Sequence, residues 1–248
     1  MALIITIIDF VIVIFSMLFL APIGILCGFL SIFGLKKQMA HLIYKIVQFW
    51  AKLLIFCTGC HLNVKGRENI PKTGPLCFVS NHTGIFDILL LLALVGRPVG
   101  FIAKKELAYI PFLNLWIFLL GGFFIDRKNI RKAIKTINKG IERIKNGEAM
   151  IIFPEGTRSK GKGLLPFRGG SFKLATQSNA CITPVAISGS YEVFEKSYRV
   201  KAVNVNITFA PSIETANLST EEKKKNLSDQ VHRVIDKALE DHTSLDSL

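Results

Sequence analysis

The sequence predicts an α/β fold in which a mixed sheet is flanked by helices and preceded by an N-terminal helical segment. Two observations lead to this prediction. Short apolar runs alternate with helical patterns from about residue 76 onward, and residues 10–35 form one apolar run without a charged side chain. With 248 residues, the chain has room for one compact domain together with such a segment.

The apolar run at residues 10–35 is long enough to enter a membrane. A helix of that length would reach roughly 39 Å, whereas the hydrocarbon core of a bilayer is about 30 Å thick. The run therefore either spans the bilayer with tilt or bends at Pro22 and Gly24 into a hairpin within one leaflet. Residues 1–9 contain no Lys or Arg, whereas a cleaved signal peptide would carry basic residues there, so we expect the segment to be retained.

The lysines after this run indicate its orientation. Lys36 and Lys37 flank the run directly, and a positive flank predicts a cell-membrane protein whose remaining residues face the cytoplasm. A second helical pattern at 41–57 is interrupted by Lys45 and Lys52, which favours an interfacial helix over a spanning one. A core helix of the following domain is the alternative.

The chain is strongly basic, with 31 Lys and Arg residues against 18 Asp and Glu and a formal net charge of +13. Such a surface suits either nucleic acid or an anionic membrane face. Because the same chain carries an apolar anchor, we expect a phospholipid bilayer as the partner and no nucleic acid. The predicted organisation is a set of membrane-anchoring helices in residues 1–60 and the main domain in residues 61–248.

The chain contains five cysteines, at positions 27, 57, 60, 77 and 181. Cys57-Thr58-Gly59-Cys60-His61 matches the string of covalent c-type haem attachment. That chemistry needs an extracytoplasmic location, which the lysine flank argues against. A single C-x-x-C pair also lacks the second pair of a closed zinc site. We therefore expect reduced, mostly buried thiols and no bound metal.

Six short apolar runs have the length and composition of strands. They lie at residues 76–80, 100–103, 123–125, 149–153, 183–187 and 203–209. A turn-rich stretch at 66–74 precedes them, and residues 111–120 are apolar enough to lie against a membrane or the core.

Helices are predicted between and after these strands. One covers residues 87–95, and another extends from the N-cap Asn129 to Gly147. A capping box, Ser219-x-x-Glu222, opens a last helix that extends to about residue 241. The expected buried stripe of that helix consists of Leu227, Val231, Val234 or Ile235, and Leu239.

A histidine and a carboxylate follow the first predicted strand, five residues apart. On one ideal helix His82 and Asp87 would lie roughly 140° from each other, so they meet only if His82 occupies the turn and Asp87 the helix after it. Asp87 can then accept a hydrogen bond from one imidazole nitrogen while the other nitrogen takes a proton from an alcohol. Taken alone, the pair would be explained better as a structural hydrogen bond.

Cations follow three other predicted strands. Lys104, Arg127 and Arg158 each come shortly after an apolar run, and ligands of open α/β sheets bind where strands end. Three cations there suit a phosphate, for which arginine offers bidentate donors. Glu155 beside them could hold a substrate hydroxyl. Each residue taken singly could also be a surface ion-pair partner.

Four ordered blocks of the sequence resemble the glycerolipid acyltransferases, and most closely the 1-acylglycerol-3-phosphate O-acyltransferases. The similarity covers residues from about 60 to 215. The blocks are Asn81-His82-x4-Asp87, Gly121-x-x-Phe124-Ile125-Asp126-Arg127, Phe153-Pro154-Glu155-Gly156-Thr157-Arg158-Ser159 and Ile182-Thr183-Pro184-Val185. The segments 103–107 and 165–175 are also similar to that family. One position departs, since Gly84 stands where the family often has serine.

This resemblance implies transfer of a fatty acyl group from acyl-CoA or acyl-carrier protein to the sn-2 hydroxyl of 1-acylglycerol 3-phosphate (lysophosphatidic acid), which gives phosphatidic acid. The fold it implies is an α/β domain carried on an N-terminal membrane-anchoring helical pair. No cofactor and no metal belong to this chemistry, because the acyl donor is a co-substrate.

The resemblance also implies roles for individual residues. His82 would be the general base and Asp87 its partner. The substrate-binding set consists of Lys104, Arg127 and Arg158 on the phosphate, Glu155, Gly156 and Thr157 around the glycerol, and Pro184 near the acyl chain.

Three alternatives stay open. A sister acyltransferase would use the same dyad on glycerol 3-phosphate or another lysolipid. A non-catalytic protein that binds anionic lipid would keep the fold without turnover. A cysteine hydrolase would need a thiol next to a base, for which Cys60 and His61 are the neighbouring pair.

Overall fold

The carboxyl ends of five parallel strands meet along one edge of a seven-stranded sheet. The structure is a computed structural model, and it describes residues 2–219, 221 and 226–246. In that part of the chain the strands are β1 (His61–Lys65), β2 (Leu76–Ser80), β3 (Val99–Lys104), β4 (Phe123–Ile125), β5 (Ala149–Ile152), β6 (Cys181–Ser188) and β7 (Asn204–Phe209).

Eight α-helices accompany these strands in the described residues. They are α1 (Ala2–Leu30), α2 (Lys36–Cys57), α3 (Phe86–Leu94), α4 (Leu113–Leu119), α5 (Ile130–Lys145), α6 (Lys173–Ser178), α7 (Ser190–Val193) and α8 (Leu227–Asp246).

The sheet is mixed, as the sequence predicts. Its order is β1-β7-β6-β2-β5-β3-β4. Every neighbouring pair is parallel except β6 and β7, so β1 and β7 run against the other five strands. The turn-rich stretch at 66–74 therefore connects the edge strand β1 to the central strand β2.

Helices cover both faces of the sheet, and the central strand β2 contributes side chains to both layers. Leu76 and Phe78 pack with α2 and α3 in one hydrophobic cluster. Cys77 and Val79 pack with α5, α6 and α8 in the other. All five residues of β2 are buried, as expected for a parallel strand with helices on both sides.

The N-terminal helical segment bends at a place that the sequence does not predict. Helix α1 continues through Pro22 and Gly24, so the alternative of a hairpin turn at these residues is wrong. The chain instead turns within Ser31–Leu35, where Gly34 has φ +86°. Gly24 serves close packing, since an added Cβ would lie 2.7 Å from Leu119 Cδ1 of α4. By length and composition, the helical stretch Thr6–Cys57 could cross a membrane, and most of its most apolar part is exposed.

Helix α2 uses its two faces differently. One face is buried against the domain, where the Tyr44 hydroxyl donates to the Leu92 carbonyl oxygen of α3 at 3.1 Å. The other face leaves Phe49 71 % and Phe56 81 % exposed. The core-helix alternative therefore describes one side of α2, and the exposed aromatic side fits an interfacial helix.

The predicted strands are present, and the differences fall in two places, β1 and α8. Strand β1 is not predicted, because its alternating sequence has only two aliphatic residues and it is held by pairing with β7. Asn129 caps α5 as predicted, accepting from the Lys132 backbone N–H at 3.0 Å. In α8 the third buried position is Ile235 and not Val234. Glu222 of the predicted capping box lies outside the described residues.

The turn after β6 needs a glycine, and its replacement by alanine should destabilise the fold. Gly189 has φ +82°, and an added Cβ would overlap the carbonyl oxygen of Asn204. Both the conformation and the lack of space oppose a side chain, so we expect Gly189→Ala to lower the free energy of unfolding by about 1–3 kcal/mol.

Gly147→Ala is the matched control, because Gly147 has φ +84° with nothing within 4 Å of an added Cβ. Denaturant unfolding of both variants measures the loss. An equal loss in the two variants would contradict the steric part of the argument.

Candidate active site

The motif residues lie at the carboxyl edge of the sheet. His82 follows β2, Glu155 follows β5, and Arg127 follows β4. Because β2 pairs with β5 and β6, the loops after these strands are neighbours in space. The two main motifs are joined directly, since the Ser159 backbone N–H donates to the His82 carbonyl oxygen at 2.7 Å.

His82 and Asp87 form the predicted pair. His82 Nδ1 lies 2.8 Å from Asp87 Oδ2. The same oxygen accepts the backbone N–H groups of Thr83 at 2.7 Å and Gly84 at 3.0 Å. Asp87 lies in the first turn of α3 and is fully buried. An ionised carboxylate only accepts hydrogen bonds, so Nδ1 carries the proton and Nε2 keeps its lone pair.

Two hydroxyl groups hold the second oxygen of this carboxylate. Asp87 Oδ1 accepts from Thr83 Oγ1 at 3.2 Å and from Ser190 Oγ. Ser190 is 2 % exposed and opens the short helix α7 after Gly189. Both oxygens of Asp87 are thus held by fixed donors, which leaves the carboxylate one orientation towards the imidazole.

The imidazole ring of His82 is held from the side and stays open at its far end. The ring stacks on Phe153 with centroids 4.1 Å apart and an interplanar angle of 21°. Its side chain is 15 % exposed, and within the described residues Nε2 has no recorded hydrogen bond. A nitrogen with a lone pair, at a defined place and reachable from solvent, can act as a general base.

Glu155 supports the backbone of His82 from the neighbouring loop. Its Oε1 accepts the His82 backbone N–H at 2.8 Å, and the residue is 3 % exposed. Burial raises the pKa of this carboxyl to about 7, and the nearby charge of Asp87 adds to the rise. The position of Glu155 is therefore that of a buried acceptor that titrates near neutral pH.

This raised pKa predicts a pH dependence of stability. A raised carboxyl pKa means that the native state keeps a proton that the unfolded chain has already lost, so stability falls as pH rises from the unfolded value of about 4.5 to about 7. Glu155→Gln keeps the acceptor for His82 and removes the titration. We expect the stability of the wild type relative to this variant to fall over that window by up to about 1.4 kcal/mol per pH unit.

Denaturant unfolding of the two proteins between pH 4.5 and 8 measures this difference. Glu240→Gln, at an exposed glutamate of α8, is the control. A pH-independent difference for Glu155→Gln would overturn the assignment.

Three arginines lie around the loop that contains Glu155. Arg127 donates to the carbonyl oxygen of Gly156, and Arg168 packs so close to Gly156 that an added Cβ would lie 2.9 Å from its Nε. Gly156 has φ +70°, so a side chain there is opposed by conformation and by space. Burial and the neighbouring charge of Arg168 lower the pKa of Arg127 from its usual value, although it stays charged. Arg158 is 41 % exposed and pairs with Glu195.

The remaining predicted residues are less closely joined to the dyad. Lys104 is 59 % exposed and forms an ion pair with Glu106 at 3.4 Å. The charge of Glu106 also raises the pKa of Arg127, which opposes part of the lowering by burial and Arg168. Thr157 is exposed in the loop between Gly156 and Arg158. Pro184 is buried within β6 in register with Val79, so it lies inside the sheet and not at its edge.

The sequence argument missed Arg168, Ser190 and Glu195. Arg168 lies in the segment 165–175, whose similarity to the family could have drawn attention to it. Ser190 and Glu195 lie in no recognised block, and only the end of β6 brings them beside the dyad.

The cysteines lie apart from this chemistry. All five are free, and Cys27, Cys77 and Cys181 are buried. Burial raises the pKa of the Cys77 and Cys181 thiols, which is the opposite of what a nucleophilic thiolate needs. Over the part of the chain that the structure describes, no group of three or more His, Cys, Asp or Glu side chains could hold a metal ion.

Comparisons with known proteins agree in pointing to acyl transfer. The family model described as Acyltransferase matches residues 61–188. A 1-acyl-sn-glycerol-3-phosphate acyltransferase of Borreliella burgdorferi is 33 % identical over 190 residues, which is 76 % of each chain. One of Saccharomyces cerevisiae is 39 % identical over 145 residues, 57 % of this chain and 48 % of the relative. The chain thus spans about half the length of the yeast protein.

A solved structure has the same fold over nearly its whole length. The 1-acyl-sn-glycerophosphate (LPA) acyltransferase of Thermotoga maritima matches with a TM-score of 0.85 and 28 % identity, covering 98 % of this chain and 96 % of that one. The family match covers more than half of the chain, and the mixed sheet has helices on both faces. This chain therefore belongs to the acyltransferase family.

Proposed function

We propose that the protein transfers a fatty acyl group from acyl-CoA or acyl-carrier protein to the sn-2 hydroxyl of 1-acylglycerol 3-phosphate, giving phosphatidic acid. The observation that carries this proposal is the His82–Asp87 pair, with Asp87 fully buried and His82 joined through its backbone to the loop around which the arginines lie. The relatives named as 1-acyl-sn-glycerol-3-phosphate acyltransferases support the choice of acceptor.

In the proposed reaction, His82 Nε2 removes the proton of the acceptor hydroxyl while its oxygen attacks the thioester carbonyl. The carbon–sulfur bond then breaks, and the thiolate leaves with the proton that His82 had taken. Asp87 keeps Nδ1–H aimed at its carboxylate and stabilises the imidazolium that forms between the two steps. No acyl-enzyme intermediate is needed, because the acceptor itself is the nucleophile.

The arginines are proposed to bind the phosphate of the acceptor. Arg127 and Arg158 supply bidentate donors, and Lys104 adds charge at the rim. Glu155 and Gly156, with Thr157, would shape the glycerol site. Pro184 is proposed to lie near the acyl chain, on the strength of the family resemblance alone.

The membrane is the proposed source of the acceptor. We propose that residues 1–60 anchor the protein at the cell membrane and that residues 61–248 carry the reaction on the cytoplasmic side. The apolar helix α1, the exposed aromatic residues of α2 and the Lys36-Lys37 flank support this arrangement.

A panel of acceptors tests the proposal. Membranes that contain the protein receive labelled acyl-CoA or labelled acyl-carrier protein with lysophosphatidic acid, glycerol 3-phosphate or a choline-headed lysolipid, and the labelled lipid products are measured. We expect product from lysophosphatidic acid alone. If only another acceptor gives product, the protein is an acyltransferase but the proposed acceptor is wrong. If no acceptor gives product with either donor, the proposed activity is rejected.

A further inference from the structure

The carboxylate of Glu195 occupies the edge of the site where we propose that the acceptor phosphate binds. Glu195 Oε1 pairs with Arg158 Nη1, and its Oε2 accepts the backbone N–H of Ile85. Ile85 precedes the first turn of α3, three residues after His82. The Glu195 carboxylate therefore accepts hydrogen bonds from an arginine side chain and from a backbone N–H at the start of a helix, which are two kinds of donor that commonly bind phosphate.

Gly84 makes room for this carboxylate. A Cβ added at Gly84 would lie only 2.5 Å from Glu195 Oε2. A side chain at position 84 and the observed position of the carboxylate exclude each other.

The contact between Glu195 and Arg158 is of a kind that a ligand can displace. The Glu195 side chain is 12 % exposed, but Arg158 is 41 % exposed, so a ligand can reach the arginine from solvent, and ion pairs near a protein surface are weak. A phosphomonoester carries a charge of about −1.5 to −2 near pH 7 and three acceptor oxygens. It offers Arg158 more charge and more acceptors than a carboxylate does.

We infer that Glu195 is an internal competitor for the phosphate site, which occupies Arg158 when no acceptor is bound and withdraws when a phosphate arrives. The inference rests on the proposed function for the identity of that phosphate. Since phosphatidic acid carries the same phosphate as lysophosphatidic acid, the competition weakens the binding of substrate and product by the same factor. Glu195 therefore favours the release of a product that would otherwise be retained by the cations that bind the substrate.

Binding measurements on the full chain in lipid nanodiscs test this role without turnover. The dissociation constants of lysophosphatidic acid and of phosphatidic acid are measured in the absence of acyl donor. Glu195→Gln keeps an acceptor for Ile85 and removes the charge, so both constants should fall by about two- to fivefold, the range of an exposed ion pair. Glu192→Gln is the matched control, because Glu192 pairs with Lys196 and not with Arg158.

The outcomes separate this inference from the proposed function. Tighter binding of both lipids to Glu195→Gln, with wild-type binding by Glu192→Gln, supports the competitor role. Unchanged or weaker binding overturns it and leaves Glu195 as a support for Arg158. If the wild type binds lysophosphatidic acid without acylating it, the proposed function fails, and the comparison of variants still decides the role of Glu195. If the wild type does not bind the lipid, both proposals fail.

A second pair of variants tests the steric part of the argument. When Glu195 is present, Gly84→Ala should displace the Glu195 carboxylate from Arg158 and lower the dissociation constant of lysophosphatidic acid. In a Glu195→Ala background the same change should have no such effect, because its target is gone. An equal effect in both backgrounds would overturn the link between Gly84 and Glu195.

Discussion

His82→Ala is expected to lower kcat by about 10²–10⁴-fold, the usual contribution of a positioned general base. His82 is the only proposed base, and truncation removes the proton acceptor while Thr83, Gly84 and Ser190 still donate to the buried Asp87 carboxylate. Acylation of lysophosphatidic acid by purified protein, at saturating concentrations of both substrates, measures the change. The KM for lysophosphatidic acid should stay within a few fold, since its phosphate is held elsewhere.

His61→Ala is the matched control for this prediction. His61 is exposed on the edge strand β1, which is separated from β2 by β7 and β6. The control should keep wild-type turnover. If His82→Ala also had wild-type turnover, the dyad mechanism would be rejected.

Arg158→Ala is expected to raise the KM for lysophosphatidic acid by about 10- to 100-fold with a much smaller change in kcat. A charge-assisted hydrogen bond contributes about 1.5–3 kcal/mol, and a phosphate held equally in the ground and transition states affects binding more than chemistry. Steady-state kinetics with varied acceptor and saturating acyl donor measures the effect. Arg127→Ala should behave in the same way, because Arg127 lies beside the same loop through its bond to Gly156.

Arg233→Ala, at an exposed arginine of α8, is the control for loss of one positive charge. It should leave both constants unchanged. A choline-headed lysolipid, if it is used at all, should tolerate the loss of Arg158 better than lysophosphatidic acid. A fall in kcat at an unchanged KM for Arg158→Ala would instead place this arginine at the reacting carbonyl.

Much of the fold is predictable because its signals are local. The strand at Leu76–Ser80 is a short apolar run, and the cap at Asn129 depends on a hydrogen bond three residues away. Both are decided within a few residues, so the sequence pattern is sufficient. Strand β1 was missed because its pairing with β7 joins residues about 140 positions apart, and its own sequence has weak strand character.

The dyad itself could be identified from the sequence, whereas its supports could not. His82 and Asp87 are five residues apart, and their meeting requires only a turn followed by a helix. Ser190 reaches Asp87 from 103 residues away, and Glu195 reaches Ile85 from 110 residues away. Such contacts depend on where β6 ends relative to β2, which no short pattern records.

The sequence by itself determined the fold class and the apolar N-terminal segment, and it placed His82, Arg127 and Arg158 after predicted strands, with Asp87 close behind His82. These properties follow from hydrophobic periodicity and from residues placed at strand ends, both of which act over short distances along the chain. Only the tertiary structure decided where the N-terminal segment turns, that Arg168 joins the cationic group, and that the carboxylate of Glu195 occupies Arg158. The physical reason is that these features depend on packing between distant segments, where space and charge are shared by residues that the sequence separates.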